Sequence, residues 1–361
     1  MNKFELVKYF QEKHQLLVKE MMKINHCVSI DKPNIYHAEG SVFTHTMCVL
    51  TCIDFLTENT EYRKILYLTA LLHDIGKVFT KVYKEASDTK PERYSFHNHE
   101  AFSFFCAIDI LKDFQTEFDI SDQDVKDVLT LIGLHGSAIK DTEHPNTPKR
   151  LHELRLLFRK ADKKGAVRIS EEESDYPPRK IIKRDPVPEK EVLFMIGLPC
   201  AGKSTYVEEL GEYFVLSRDN SLEDFYNTKK DDYTVEISRN MSLKDFHDIK
   251  LSYNKIYDFI HNFYLSEFNK YFENVINEAA KSDKVVIDMT MMGLRSRRRM
   301  LSKFPKHTAN CVVFATPLST IMERNKNRKN KQISDEVFES MISAFKFPTH
   351  HEFENIDLKI I

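Results

Sequence analysis

The chain has no long apolar run. The longest, Val192–Gly197, stops after six residues, well short of the roughly 20 needed to cross a bilayer. Its opening, Met1-Asn2-Lys3-Phe4-Glu5, has no basic stretch followed by an apolar core, so no export signal is expected. None of the six cysteines (Cys27, Cys48, Cys52, Cys106, Cys200, Cys311) forms a Cys-x-x-Cys pair. That argues against a zinc knuckle or a dithiol redox site. Cys48 and Cys52 stand one helical turn apart and are expected to share an apolar face. Without an export signal the reducing cytoplasm is the expected location. No internal repeat occurs. Neither sign of charge dominates: 53 Lys/Arg face 55 Asp/Glu, for a net charge of −2. A bulk nucleic-acid coat protein is thereby excluded, although a neutral total can hide a local basic patch. With 42% apolar and 30% charged residues, wholesale disorder and collagen-like repeats are excluded too. The 361 residues exceed one ordinary domain and predict two.

Charge does not mark the boundary between them, but texture does. Up to about Arg168 the apolar residues recur at helical spacing. Val42–Leu56, Arg63–Ile75, His99–Phe114 and Lys149–Asp162 all read as helices. Gly76 is read as a C′ stop for the second of these. Ser121 is read as the N-cap of a helix running to about His135 and ended by Gly136. Residues 170–190 are charged and proline-bearing and read as a linker. Short β-branched runs follow: Val192–Ile196, Tyr213–Leu216, Val285–Ile287, Val312–Phe314 and Ile356–Ile361. Helical patterns lie between them, which argues for a parallel α/β sheet. The expected architecture is α + α/β: an all-helical domain over 1–169, a linker over 170–189 and an α/β domain over 190–361. The aromatic-rich stretch 240–280 is read as helical packing core, with a base-stacking platform as the alternative.

Gly197-Leu198-Pro199-Cys200-Ala201-Gly202-Lys203-Ser204 fits G-x-x-x-x-G-K-[ST] between a strand and a helix, Ser204–Leu210. Its backbone N–H groups would curl around phosphates, with the dipole of the following helix behind them. Lys203 would reach the β- and γ-phosphates, and Ser204 would ligate Mg²⁺. A nucleoside triphosphate such as ATP is therefore the expected cofactor, held by Gly197, Cys200–Thr205 and later arginines. The second strand ends at Ser217-Arg218-Asp219-Asn220, where a carboxylate can take a proton from an attacking hydroxyl. A helix N-cap aspartate is the alternative reading at that position. The third strand ends at Asp288-Met289-Thr290, followed by Arg295, Arg297, Arg298 and Arg299. Residues 295–331 hold eleven Lys/Arg against one acid, Glu323. Part of this is read as a solvated helix, and part as arginines that close over a triphosphate.

This set resembles the 5′-hydroxyl polynucleotide kinase module of nucleic-acid repair enzymes. The resemblance spans about 190–361, with Glu336–Phe345 behind the Arg324…Arg328 pair. It implies that Asp219 is the general base on the 5′-hydroxyl and that Arg218 holds the acceptor. It places Arg328 on the donor phosphates and Arg324 near the nucleobase. Asp288, Thr290 and Arg295 are expected on the substrate side. The chain departs from the family at Asn220, often a second Asp, and at Met291, usually Asn.

In the first half His45, His73-Asp74, His99, His135 and Asp162 fall on successive predicted helices. A buried imidazole–carboxylate pair is costly unless it binds something. Imidazole with carboxylate suits Mn²⁺, Fe²⁺, Co²⁺, Ni²⁺ or Zn²⁺, and helices supplying inward ligands are an established design. His247-Asp248, in a segment charged on both sides, is read as surface instead. The segments His37-Ala-Glu-Gly-Ser-Val-Phe-Thr-His45-Thr, Leu-Leu-His73-Asp74-Ile-Gly-Lys77, His97-Asn-His99-Glu, Leu-His135 and Phe-Arg-Lys-Ala-Asp162 resemble the HD phosphohydrolase superfamily, over about 30–168. The nearest likeness is to the HD domain attached to tRNA nucleotidyltransferases. The resemblance implies that His45, His73, Asp74 and Asp162 hold one metal. One ion or two are expected; a second would be bridged by Asp74 with His99 and His135, and His37 and Lys77 would neutralise substrate phosphate.

The combination resembles bifunctional HD-domain polynucleotide kinases that heal RNA ends. That implies phosphorylation of 5′-hydroxyl ends and hydrolysis of 2′,3′-cyclic, 2′- or 3′-phosphate ends. Broken RNA, or DNA, would be the partner. No K-x-D-G motif is present, so a separate ligase is expected to seal the break. Two other readings stand beside it. One is a nucleotide phosphohydrolase joined to a kinase of nucleosides or small metabolites. The other is a kinase whose HD domain senses nucleotides or grips RNA without catalysis.

Overall fold

The structure is a computed structural model that describes residues 2–29, 34, 37–87, 92–136, 144–168, 185–238, 253–328 and 331–361. Of residues 230–238 and 253–255 it describes only the backbone path. The expected linker therefore lies largely outside the described residues, as do His247-Asp248 and the first part of the aromatic-rich stretch.

The N-terminal half is helical: α1 (Lys3–Lys13), α2 (Gln15–Lys23), α3 (Val42–Asp54), α4 (Thr60–Leu72), α5 (Lys77–Thr80), α6 (His99–Glu117), α7 (Asp122–Leu134) and α8 (Lys149–Gly165). Ser41 caps α3 by accepting from the Thr44 N–H. Ser121 caps α7 in a full capping box with Asp124, as the sequence predicts. Helix α4 is buried continuously from Ile65 to Leu72, and α3, α7 and α8 pack around it. The all-helical expectation needs one addition. A small antiparallel hairpin, β1 (Val82–Lys84) with β2 (Arg93–Ser95), bridges α5 and α6.

Gly76 is not the expected left-handed stop; its φ is −64°. It is required for another reason. A Cβ there would lie 2.1 Å from the His99 carbonyl oxygen and 2.6 Å from Ser103 N. The chain needs this close approach to bring the His73-Asp74 turn against the start of α6.

The C-terminal half contains β3 (Glu191–Ile196), α9 (Lys203–Glu209), β4 (Phe214–Leu216), α10 (Arg218–Ser238), α11 (Tyr253–Phe259), a π-helical turn (Ile260–Tyr264), α12 (Leu265–Ala279), β5 (Lys284–Ile287), α13 (Leu294–Leu301), β6 (Thr308–Ala315), α14 (Leu318–Lys326), α15 (Asp335–Ala344) and β7 (Asn355–Ile360). All five expected strands form one sheet in the order β4-β5-β3-β6-β7. Every pairing is parallel. The chain leaves β3 toward one side of the sheet and later returns to the other. The carboxyl end of β3 is thus the switch point where an open parallel sheet binds ligands. Of the described part of the aromatic-rich stretch, Phe259, Phe268 and Phe272 are buried in the core, while Tyr257 and Phe263 are exposed.

One member of the basic stretch is structural. Arg297 is fully buried; it donates to both Glu352 carboxylate oxygens at 2.8 and 3.1 Å and to the carbonyls of Met291 and Met292. It ties α13 to the loop after β5 and is not available to a ligand.

The two halves share one apolar core. Phe345 lies with its ring centroid 5.1 Å from those of both Phe104 and Phe105 on α6. A Cβ on Gly133 would lie 2.6 Å from the Phe347 ring, so α7 carries glycine where the other half presses on it.

Candidate active sites

The six expected metal ligands converge. His45 comes from α3, His73 and Asp74 from the turn after α4, His99 from the first residue of α6, His135 from the end of α7 and Asp162 from α8. His45 Nε2 stands 3.0 Å and His73 Nε2 3.6 Å from Asp162 Oδ1. Asp74 presents its two oxygens to different neighbours. Oδ2 is 3.3 Å from His73 Nε2 and 3.8 Å from His45 Nε2. Oδ1 is 3.3 Å from His99 Nε2 and 3.6 Å from His135 Nε2. Two sets of three, His45–His73–Asp162 and His73–Asp74–His135, bring ligand atoms within 4.8 Å of one another.

The orientation of the rings supports a metal. His73 Nδ1 meets the Ala70 carbonyl at 2.9 Å, and His99 Nδ1 meets that of Phe96 at 2.7 Å. Each carbonyl takes the Nδ1 proton and leaves the Nε2 lone pair facing inward. His73 Nε2, His99 Nε2 and both Asp74 oxygens are buried without a well-directed hydrogen bond. Polar atoms left so are expensive unless something binds them. The charges agree. Burial opposes charge on His73, but Asp74 and Asp162 outweigh it and push the imidazole up to about 10, so the two carboxylates draw onto the inward nitrogen a proton that a metal would displace. Burial, with the neighbouring His73 and His99, carries His135 down to about 3. Burial would raise Asp74, yet His73 and Lys77 hold it well below the usual carboxylate range. A divalent cation would give the two carboxylates and the inward imidazole nitrogens a common partner.

Glu39 and His26 stand beside the candidate site, and sequence reasoning did not single them out. Glu39 Oε1 lies 2.7 Å from His45 Nδ1 and 2.9 Å from His37 Nδ1. It fixes the ring of an expected metal ligand from behind. Its signal was present, two residues after His37 inside a quoted motif. His26 sits in a non-helical stretch with no spacing to betray it. His26, His37 and Glu39 also cluster at ligand distance, but the cluster is a poor cation site. His26 Nδ1 is 3.0 Å from the Gly40 carbonyl, and Nε2 is 3.0 Å from Lys77 Nζ. Lys77 itself lies 2.7 Å from Asp74 Oδ2. His37 stacks on His26 with centroids 4.5 Å apart. Lys77 and His37 are therefore both beside the metal pocket, on one side of it. Replacing Glu39 by alanine should weaken metal binding by about 10–100-fold. Metal retained against a graded chelator measures this; unchanged retention would contradict the role.

The second site forms at the carboxyl end of β3. Cys200 and Gly202 adopt positive φ, 66° and 94°, which curls the loop. Gly197 N–H donates to the Thr290 carbonyl, and Thr316 Oγ to the Ala201 carbonyl, at 3.2 and 2.9 Å. Lys203 is folded onto the loop, donating to the Gly197 and Leu198 carbonyls at 3.0 and 2.7 Å. Ser204 Oγ donates to Asp288 Oδ2 at 2.9 Å. Asp288 thus stands beside the expected Mg²⁺ ligand, and together they offer two oxygens to that ion.

Three clefts adjoin one another. The first, about 530 Å³, is lined by Gly202–Thr205, Arg324 and Arg328. The next, about 510 Å³, joins Lys203, Ser204 and Arg328 to Arg218, Asp219, Asp288 and Thr290. The third, about 920 Å³, continues from Arg218 and Thr290 to Arg295 and Arg299. Arg324 Nη1 donates to the Cys200 carbonyl at 3.1 Å. Arg218 is stacked over Phe268 and Phe272, 4.8 and 5.3 Å from their centroids. Asp219 is half-exposed in the middle cleft, with Lys331 at 3.6 Å. Met291, where the resembling family has Asn, adopts φ 43°, a conformation asparagine tolerates better.

Residues 42–167 match the family model of the HD domain. Residues 192–348 match that of an AAA domain. The chain joins an HD domain to a P-loop kinase-like domain. No curated protein matches it. HD domains bind divalent metals and P-loop kinases use a nucleoside triphosphate with Mg²⁺, and the residues just described fit both. All six cysteines are free. Among the described residues no helix is long and apolar enough to cross a membrane.

Burial lowers Lys203 of the kinase-like domain to about 8. Below that pH the ammonium is ready for the triphosphate; above it the proton must be taken up on binding. Affinity for the triphosphate should therefore fall as pH rises past about 8, approaching tenfold per unit at the limit. Binding titrations between pH 7 and 9.5 would test this, and a flat profile would contradict it.

Proposed function

We propose that the protein heals broken nucleic-acid ends, RNA first among them. The kinase-like domain transfers the γ-phosphate of ATP or another triphosphate to a 5′-hydroxyl. The HD domain hydrolyses a 2′,3′-cyclic, 2′- or 3′-phosphate at the other end. A separate ligase then seals the ends. The cytoplasm is its proposed place of work.

The observation that carries this reading is the continuity of the three clefts. A triphosphate on Lys203 and Ser204, with Arg328 alongside, points its γ-phosphate into the middle cleft. An acceptor entering along Arg218, Arg295 and Arg299 brings its hydroxyl to the same place. There Asp219 takes the hydroxyl proton as the new O–P bond forms and the bond to the diphosphate breaks. The outer groove is roomier than one nucleoside needs and carries cations for backbone phosphates.

In the HD domain, bound metal would polarise the phosphate and lower the pKa of water. His45, His73, Asp74 and Asp162 would hold one ion, and the second oxygen of Asp74 with His99 and His135 another. Mn²⁺, Fe²⁺, Co²⁺, Ni²⁺ and Zn²⁺ all suit this set. Lys77 and His37 would face the substrate phosphate.

Labelled ATP offered with either a 5′-hydroxyl oligonucleotide or a panel of nucleosides tests the kinase half. The oligonucleotide should be labelled in strong preference. Label passing only to nucleosides or small metabolites would overturn the proposal.

A further inference from the structure

Helix α14 carries Arg324 and leads directly to Arg328, the two arginines beside the P-loop, yet its own sequence leaves its first turn uncapped. The residue before it is Pro317, and no side chain of this domain closes it. The cap comes from the HD domain. Asp109, on α6, accepts from the Leu318 N–H at 2.9 Å through Oδ2 and from the Ser319 hydroxyl at 2.5 Å through Oδ1. A carboxylate at a helix N-terminus satisfies unpaired donors and complements the helix dipole. At the other end Arg324 reaches the Cys200 carbonyl, and the Arg328 N–H donates to the Asn325 carbonyl at 3.1 Å. Asn325 in turn is bonded to the backbone of Ile333 on both sides. The helix is a short strut between Asp109 and the phosphate loop.

The rest of the interface keeps that strut in place. Lys346 Nζ donates to Asn98 Oδ1 at 2.8 Å and pairs with Glu100, while its N–H donates to the Met292 carbonyl at 3.0 Å. Phe345 is held between Phe104 and Phe105. Every one of these HD-domain contacts comes from α6 or the residue just before it, so the first eleven residues of one HD helix are bolted to the kinase-like domain from Asn98 to Asp109.

From this geometry we infer that the HD domain is a structural half of the triphosphate site, with Asp109 as a positioning residue that sets the α14 arginines over the P-loop. The inference rests on the triphosphate reading of that loop. It separates two things that are easily confused. The chemistry of each site is its own, but the kinase-like domain depends on the HD domain for the aim of its arginines.

The test uses the full-length chain with ATP, a 5′-hydroxyl oligonucleotide and, separately, a 3′-phosphate oligonucleotide. Asp109→Ala should raise the KM for ATP by about 3–30-fold, the range set by losing a helix cap. The KM for the oligonucleotide and the rate of 3′-phosphate release should stay at wild-type values. Asp109→Asn keeps one acceptor oxygen for the Leu318 N–H and can donate its amide N–H to the Ser319 hydroxyl oxygen, so it should recover most of the loss. Ser319→Ala, which removes one bond, should raise the ATP KM by about 2–5-fold, and it decides the matter if Asp109→Ala does not fold. Wild-type ATP kinetics in Asp109→Ala, or in Ser319→Ala where the former fails to fold, would overturn the inference while leaving the proposed function standing. A wild-type chain that uses no triphosphate at all would overturn the reading of the P-loop and the inference with it.

Discussion

Asp74→Asn should abolish metal loading at the HD site and reduce phosphate-ester hydrolysis by on the order of 10³-fold or more, with phosphoryl transfer from ATP unchanged. Asp74 is the one residue whose two oxygens face both groups of imidazoles. No other carboxylate lies between them in the same way: Asp162 reaches His45 and His73 through one oxygen and only the far nitrogen of His135 through the other. Asparagine is the informative replacement because it keeps the shape. Either replacement leaves Lys77 and His73 without the Asp74 counter-charge, and a lost buried partner costs about 3–5 kcal/mol in stability, but alanine would add a cavity and remove the polar atoms that asparagine keeps. Metal content of the dialysed protein and release of phosphate from a 3′-phosphate oligonucleotide would be measured together. Hydrolysis that survives with no bound metal would contradict the role given to Asp74.

Lys203→Ala should lower phosphoryl transfer by about 10²–10³-fold and leave hydrolysis at the HD site intact. The ammonium now spent on the Gly197 and Leu198 carbonyls is the charge that the β- and γ-phosphates would take over. Removing it takes away a positioned donor where negative charge accumulates. Asp219→Ala should act on the same reaction through the proton of the acceptor and should leave binding of the triphosphate near wild type. A Lys203 or Asp219 variant that folds normally yet loses both activities would show that the two sites do not work independently.

Much of this was legible in the sequence because each site uses short-range spacing. The P-loop is one contiguous motif between a strand and a helix, and β3 and α9 lie where it requires. The five strands were visible as β-branched runs, since a parallel sheet covered on both faces needs continuous apolar stretches. The expected metal ligands were legible as a set because each stands in a short segment of the HD pattern, on a helix or at its end. What was hidden depends on contacts between distant parts. Gly76 reads as a helix stop until α6 is seen against it. Arg297 reads as one more exposed cation until Glu352, 55 residues later, is found paired with it in the core. Asp109 has the look of an ordinary polar residue on an amphipathic helix, because its partners lie 209 and 210 residues away. The hairpin between α5 and α6 is short and half-exposed, with too few apolar positions to show a period of two. Glu39 stood in plain view but gained meaning only when His45 turned its second nitrogen toward it.

The most direct test of the account is a single RNA carrying a 5′-hydroxyl at one end and a 2′,3′-cyclic phosphate at the other. It would be incubated with the full-length protein, ATP, Mg²⁺ and Mn²⁺, and both termini followed by mass. The account predicts a product with a 5′-phosphate and an opened or phosphate-free 3′ end, the first change dependent on ATP and the second not. An RNA returned with both ends unaltered, by protein shown to carry metal and bind ATP, would contradict it.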